Sequence, residues 1–515
     1  MKQLQSFRIP YQKDPNLNLL VAGHLGVDAK DISNIRILKR SLDARKRNHF
    51  YWVYSLEVYL QGESPKNLEE PFPLLKWTGP PPLIIGAGPA GLFAAWTLLE
   101  HGIRPILLER GMRTYDRMRK ISLYWRQGLL DENSNVCNGE GGAGTFSDGK
   151  LITRIKSPYI SQVMRAFVNY GAPPEITYAY NPHVGSNLIR EVIRKMSDDL
   201  MAKGGDLRFS TRVERLHIKN KKVEGLYLAN GECIEGTGLI LACGHSAGRF
   251  FETLKNDGVQ FEPKSFALGL RIEHPQGYIN EWQYGKTPLE NLDPAQYKLT
   301  HHWAREEVGV YTFCMCPGGY VISSTTDPGT VVVNGMSNYH RNSPWANAAV
   351  VCSIDHEKIP GENPFKVMHF QRGIEKKMYE ASQVEGPSHA IPAQHLEDFL
   401  EGRKASITVK SSCPSGVIAS DLSKLLPPEI YNYLCQGLLG FDKKRKGFNH
   451  PKALLHAVES RTSSPVRIPR HSETMESVST EGLFPCGEGP GYAGGITSAA
   501  VDGINAALAW IQKFT

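Results

Sequence analysis

Gly86, Gly88 and Gly91 stand in the spacing G-x-G-x-x-G, directly after the branched apolar run Leu83-Ile84-Ile85. Glycines so spaced after a strand suit one chemistry: holding a pyrophosphate against backbone N–H groups at a helix start. Gly86 permits the tight turn, Gly88 leaves its side-chain volume to the phosphates, and Gly91 lets the helix pack close to the sheet. Ala87, Pro89 and Ala90 complete the turn. An apolar helix pattern follows (Leu92, Phe93, Ala94, Ala95, Leu98, Leu99), then a second apolar strand, Ile106-Leu107-Leu108, ending on Glu109. An acid at that strand tip can accept hydrogen bonds from the hydroxyls of an adenosine ribose. Strand, helix, strand and acid in register predict a dinucleotide site.

The C-terminal end bears on which dinucleotide. Leu483 and Phe484 form a short apolar strand leading into Cys486-Gly487-Glu488, and a glycine-rich turn through Gly494 and Gly495 opens a small-residue helix near Ile496. This segment resembles the late strand ending in G-D or G-E of flavoproteins such as glutathione reductase and the hydroxybenzoate hydroxylases. The resemblance implies that Glu488 contacts the ribityl or pyrophosphate part of FAD. It also implies that the helix N-terminus faces the pyrimidine edge of the ring, where its dipole stabilises the negative charge of reduction. Glu109-Arg110-Gly111 resembles the E-R/K-G that ends the second strand in this class. Gly238 to Gly244, with Ala242, Cys243 and Gly244 at its end, resembles the A-x-G strand that leaves the FAD domain. Val213 falls where a valine often packs on the adenine.

Longer motifs narrow the resemblance. Gly139-Glu140-Gly141-Gly142-Ala143-Gly144-Thr145-Phe146-Ser147-Asp148-Gly149-Lys150-Leu151 is distinctive, as are Leu241 to Ala247, Arg271 to Gln276, Phe313 to Gly319 and Val458 to Arg467. Together, from about residue 30 to the C-terminus, they are similar to the bacterial FAD-dependent dehydrogenases often labelled NAD(FAD)-utilising dehydrogenases. The resemblance implies an α/β fold: a Rossmann-like FAD-binding domain of the glutathione-reductase/hydroxybenzoate-hydroxylase type. To it are added an inserted β-rich α+β domain and a small N-terminal α+β module. It also implies an enzyme, an FAD-dependent oxidoreductase holding FAD non-covalently and passing a hydride between a small or medium substrate and flavin N5. It assigns no substrate.

Several polar residues could carry chemistry near such a flavin. Gly141, Gly142 and Gly144, with Thr145, allow backbone N–H groups to approach the cofactor. Lys150 would stabilise anionic reduced flavin, with Asp148 a second polar candidate, or the two belong to a salt-bridged loop. Arg461, beside Ser463 and Ser464, suits a substrate carboxylate or phosphate, or belongs to a solvated basic loop. His274 could be a general acid or base, or merely cap a strand. His245 reads as a boundary residue of the FAD site. Cys314 and Cys316 are expected to be packed thiols, because a C-x-C ring is strained. Cys486 likewise reads as packing. Without a matching CxxC or HxxH nearby, no metal site is expected. A second strand-G-x-G-x-x-G-helix unit is missing from the sequence, so NAD(P)H would bind transiently, in the inserted domain, or not at all.

Composition sets the frame. With 515 residues, two or three domains are expected. The formal net charge of +7 favours anionic ligands only slightly. Met1 to Pro15 shows no apolar signal-peptide core, no run suits a membrane span, and nine scattered cysteines suit a reducing cytoplasm. Residues 1–76 read as the N-terminal module plus a linker with six prolines in 61–82, residues 77–250 and 451–515 as the FAD-binding domain, and 251–450 as the insertion. In the module, Asn16 to Leu25 reads as helix, Ile35 to Leu38 and Phe50 to Leu60 as strands, and Leu42 to Lys46 as turn or helix. Lys39, Arg40, Arg45, Lys46 and Arg47 could meet a polyanion such as RNA, or form a solvated basic turn. The expected partner is a small-molecule substrate; the alternatives are a flavin-dependent RNA-modifying enzyme and a non-enzymatic flavoprotein redox sensor.

Overall fold

The computed structural model describes residues 1–65, 72–286, 292–303, 307–385, 387 and 389–515. Part of the proline-rich linker, 66–71, lies outside the described residues.

The dinucleotide unit is built on a five-stranded parallel sheet in the order Leu483–Pro485, Leu239–Leu241, Leu83–Ile85, Ile106–Leu108, Asp206–Arg208. Its central strands are continuous apolar runs because both faces are covered. Alternate residues serve opposite sides. Leu83 and Ile85, with Leu239, Leu241 and Leu483, pack under the antiparallel ribbon 213–235 and the helix Gly248–Asn256. Ile84, Leu107, Ile240 and Phe484 pack under the helices Pro89–Glu100, Gly185–Ala202 and Ile496–Phe514. The helices Pro89–Glu100 and Ile496–Phe514 nearly touch: a methyl group on Gly503 would lie 2.0 Å from the Ala90 carbonyl oxygen.

The insertion is a seven-stranded sheet in the order Thr300–Trp303, Val308–Cys316, Trp345–Ile354, Phe266–Pro275, Leu454–Glu459, Ile391–His395, Val417–Ala419. The helices Lys366–Glu385 and Pro428–Lys444 pack on it. Leu454–Glu459 pairs with both Phe266–Pro275 and Ile391–His395, so the chain returns to the FAD domain after Glu459 rather than at 451. Residues 405–409, apolar enough to suggest a strand, form none; the strand there is Val417–Ala419.

The N-terminal module is a three-stranded antiparallel sheet with His49–Leu60 between Lys2–Pro10 and Ile32–Lys46, covered by the helix Leu17–Leu25. Residues 42–46 are strand, not turn or helix, because Leu42 pairs with Trp52, Asp43 with Tyr51 and Lys46 with His49. Phe7, Ile9, Val21, Leu56 and Val58 give the module its own apolar core. It docks on two sides. Arg40 exchanges backbone hydrogen bonds with Tyr178 and Tyr180 of the FAD domain, and Arg47 donates to the Trp282 carbonyl of the insertion.

Candidate functional site

The strand Leu83–Ile85 ends at Gly86, which has a φ of 103°. A methyl group there would stand 2.4 Å from the Ala242 carbonyl oxygen, so the turn has no room for a side chain. Gly88 caps the helix Pro89–Glu100, whose first turn leaves unpaired N–H groups facing a cavity. A methyl on Gly88 would meet nothing within 4 Å, whereas one on Gly91 would stand 1.8 Å from the Gly86 oxygen. The glycines therefore divide as the sequence suggests: Gly91 serves packing and Gly88 serves space.

The loop 139–146 closes over this turn. Gly141 donates to the Ala87 carbonyl at 2.7 Å, a methyl on Gly142 would stand 3.2 Å from Gly88 Cα, and one on Gly144 would stand 3.0 Å from Ile496. The loop thus lies between two helix N-termini, those of Pro89–Glu100 and Ile496–Phe514. Arg117 holds it there. Fully buried, its guanidinium donates to the carbonyls of Asn135, Val136, Glu140 and Gly142 and to Thr145 Oγ1. Burial pushes Arg117 down to about 10, still protonated at neutral pH. Sequence reading passes over it: one arginine in the amphipathic helix Thr114–Gln127 looks like a surface residue.

Glu109 sits at its strand tip, buried. Its carboxylate accepts from the backbone N–H of Ala87 (2.9 Å), Gly111 (2.8 Å) and Gly139 (3.0 Å). Three of roughly four lone-pair directions are filled, which leaves one for a ribose hydroxyl. Beside it, Arg110 donates to Glu132 O and Asn133 Oδ1, while its buried Nε has no partner among the described residues.

These elements line one cavity of about 1890 Å³. Gly86, Gly88, Pro89, Ala90, Glu109, Arg110, Gly142, Gly144, Val213, Ala242, Cys243, Gly244, Glu488, Gly494, Gly495 and Ile496 all reach its wall. Ala87, Gly91, Gly141, Thr145 and Gly487 stand behind it and shape the turns. Gly487 N–H donates to Asp502, itself paired with Arg470. His245 lies 3.6 Å from Glu488 and lines the same cavity. Cys486 is buried and packed, its thiol pushed far up by burial.

The catalytic candidates fare differently. Lys150 lines the cavity with its ammonium 3.1 Å from Asp148 and hydrogen-bonded to the Met315 carbonyl. Asp148 is fully buried between Lys150 and Arg341. Burial alone would raise its carboxyl, but the two cations outweigh it and hold it at about 2. Arg461 also reaches the wall, yet all its donors are engaged: Glu375 by two bonds (3.1 and 3.0 Å), Asp327 at 3.2 Å, Ser246 at 3.2 Å, and Thr326. No N–H is left for a substrate carboxylate, so Arg461 is a buried ion-pair hub. His274 does not reach the cavity. It is buried among Tyr297 and Phe448, with Nε2 bound to the Phe448 carbonyl at 2.9 Å, and burial drives it down to about 4. It is a neutral core histidine rather than an acid or base.

Beyond Lys150 the cavity runs under the insertion, lined by Arg154, Tyr180, Lys298, His301, His302, Tyr311, Phe313 and Lys444. Two of the lining carboxylates, Asp148 and Glu459, are paired with Lys150, Arg341 and Arg271. Among the described residues no cluster of metal-ligating side chains occurs, and no helix is long and apolar enough to cross a membrane.

Fold and site together define an FAD-dependent α/β protein with a Rossmann-like cofactor domain and a β-rich insertion. Residues 81–232 match the family described as FAD binding domain, 265–462 that described as FAD-dependent protein, C-terminal domain-like, and 1–59 a domain of unknown function. The chain belongs to the same family as a protein of Clostridium beijerinckii (strain ATCC 51743 / NCIMB 8052), named "Uncharacterized protein", at 38% identity over 97% of each chain. A stretch of 61 residues, 10% of either chain, is 39% identical to the FAD-dependent monooxygenase apdD of Emericella nidulans. Among solved structures, CtdE in complex with FAD is similar at 12% identity over 84% of each chain, with a TM-score of 0.31. The halogenase PltM is similar at 10% identity over 85% of this chain and 68% of that one, with a TM-score of 0.35. At these scores the likeness carries no argument about reaction.

FAD is the cofactor, and the residues fit it. The open volume at Gly88, the free lone pair of Glu109, the unpartnered Nε of Arg110 and the two helix N-termini supply what a pyrophosphate and an adenosine need.

Proposed function

We propose that this FAD-dependent oxidoreductase passes a hydride between flavin N5 and a small or medium substrate carrying an anionic group. The observation that carries the reading is the shape of the cavity. It is larger than the roughly 300–1,000 Å³ of an ordinary ligand site, and it continues past the dinucleotide glycines into a cationic, aromatic end. Bound FAD supplies two-electron redox chemistry. The chain supplies the rest. The helix beginning at Ile496 and the Lys150 ammonium favour negative charge at their end of the cavity. Lys298, Lys444 and Arg154 would take a carboxylate or phosphate, and Tyr311 and Phe313 would cover an organic body. His301, lowered by burial and by Lys444, is neutral there at pH 7.

The basic N-terminal cluster lends little to an RNA-modifying role. Lys39 lies over the Tyr180 ring, Arg40 between Trp52 and Tyr178, Arg45 against Asp43, and Arg47 on the Trp282 carbonyl. Lys39, Arg40 and Arg47 thus dock the module on its own chain, while the exposed Arg45 pairs within its own strand.

Anaerobic photoreduction followed by a screen of acceptors tests the proposal. Carboxylate- or phosphate-bearing metabolites should reoxidise the flavin faster than neutral analogues, and NADH or NADPH should reduce it slowly, since a second nucleotide unit is missing from the sequence. Reoxidation by dioxygen alone, with an oxygenated product, would replace hydride transfer by oxygenation.

A further inference from the structure

We propose that Cys314 is a nucleophilic thiolate in the cavity wall, that Cys316 is its resolving thiol, and that the pair exchanges with a disulfide substrate. Sequence reasoning sets these residues aside as packed thiols; their placement argues otherwise. Cys314 lines the cavity, whereas Cys316 lies behind it, fully buried.

The strand Val308–Cys316 is irregular here. Its register against Trp345–Ile354 slips between Phe313 and Cys316, and Cys314 adopts a φ of 43°. A non-glycine residue in that region is held by its surroundings, and such residues cluster at sites of chemistry. Residues i and i+2 of a regular strand stand about 6.6 Å apart, at the upper end of the roughly 4.4–6.8 Å that a disulfide spans. The pair therefore lies within the reach of a bridge. Cys316 Sγ already turns back to the Cys314 carbonyl at 3.4 Å.

The surroundings favour a thiolate. Lys150 reaches the Met315 carbonyl between the two cysteines, and Arg271 Nη1 reaches Cys314 O at 3.4 Å. The charged and titratable groups facing the pair are Lys150, Arg271, Asp148 and, paired to Arg271, Glu459, with Tyr297 near Cys316. A hydrogen bond from Cys316 lowers Cys314, opposed by burial and helped by the charges of Lys150 and Arg271; Cys316 is raised in turn. The thiol that faces the cavity is thus the one whose thiolate is favoured, and the covered one is held toward its protonated form.

The exchange balances without an outside redox partner. Cys314 S⁻ attacks one sulfur of R–S–S–R, forming Cys314–S–S–R and releasing R–S⁻. Cys316 then attacks Cys314 Sγ. The Cys314–Cys316 bond forms, the second R–S⁻ leaves, and the Cys316 proton passes to it. The substrate disulfide is reduced by two electrons and the protein dithiol is oxidised by two.

Because no flavin step is involved, the test separates from the hydride reading. Oxidised holoenzyme carrying Cys233→Ser, which removes an exposed thiol, is mixed with the dianionic aromatic disulfide 5,5′-dithiobis(2-nitrobenzoate). The expected first phase releases two thiolates per chain and leaves a Cys314–Cys316 bridge in the peptide map. Adding Cys316→Ser should release one thiolate and leave the adduct on Cys314. Lys150→Met should slow that phase at least fivefold and move its pH midpoint upward, and Lys150→Arg should restore it. A first phase that modifies Cys137, Cys243 or Cys435 ahead of Cys314 would overturn the proposal. So would a Cys316→Ser protein, with FAD still bound, that traps no adduct on Cys314.

Discussion

Gly91 and Gly86 are so close that a methyl group on the first would stand 1.8 Å from the carbonyl oxygen of the second. Gly88, between them, has open space on its side-chain side and a φ of −75° that any residue adopts. The two outer glycines hold the turn together; the middle one keeps it empty.

Gly88→Val should therefore fold normally and lose FAD, while Gly91→Ala should lose stability. Overpacking of this kind costs about 1–3 kcal/mol, and more where backbone cannot yield. Visible flavin absorbance after gel filtration, beside a urea midpoint, distinguishes the two. A yellow Gly88→Val protein would show that the pyrophosphate does not pass there. Acid precipitation of the wild-type chain should release the flavin, because no covalent attachment residue is identifiable.

The role of Arg461 can be tested through Glu375, which is wholly buried against it. Glu375→Ala would leave a guanidinium in a poorly solvated wall with only Asp327 to balance it. Breaking such a buried pair costs about 3–5 kcal/mol, so the urea midpoint should fall steeply. An unchanged midpoint with a raised substrate KM would return Arg461 to the substrate-binding role that the sequence suggests.

Parts of this were legible in the chain because they are local. The turn at Gly86–Gly91, the acid at Glu109 and the helix opening at Ile496 each depend on a few contiguous residues, and each lies where the spacing puts it. What stayed hidden depends on pairing across distance. The partners of Arg461 come from helix Lys366–Glu385 and from residues 246, 326 and 327. Arg117 binds carbonyls 18 to 25 residues away. His274 carries the right side chain for proton transfer, but its strand turns it into the apolar core. The slip that re-aims Cys314 is a mismatch between two strands, and neither strand alone records it.

Glu273 gives a pH test. Burial raises its carboxyl to about 7, although Ser412 donates to it. A group raised above its unfolded value binds more protons in the folded state. Its stabilising contribution is therefore present at low pH and lost as pH rises through about 7. His274 and His456, lowered to about 4 by burial, act oppositely and lose stability as pH falls below their unfolded value. Glu273→Gln removes only the first effect. Relative to wild type, the variant should gain about 2.5 kcal/mol between pH 5 and pH 9, most of the effect of a shift of roughly two and a half pKa units. Urea midpoints across that range read it, and a constant difference would mean that Glu273 is ionised in the fold throughout.

The N-terminal module meets the cavity at one edge. Its hydrogen bonds to Tyr178 and Tyr180 hold the segment whose Tyr180 and Asn181 line the cavity, and Phe50 packs edge-on to Tyr284 of the insertion. Among the described residues the hydrogen bonds of Glu109 run to Ala87, Gly111 and Gly139 and not to the module, and the module's apolar core is separate. A chain beginning at residue 77 should therefore keep FAD, as its absorbance would show. The segment 178–183 should become several-fold more sensitive to protease, and substrate binding should weaken with it. Loss of FAD from a folded, truncated protein would mean that the module completes the cofactor site. Charge reversal of Arg45, Lys46 and Arg47 in the intact chain separates docking from RNA binding. Duplex contacts would give a salt slope of about −0.9 per phosphate, and the reversal should change protease sensitivity without uncovering any such slope.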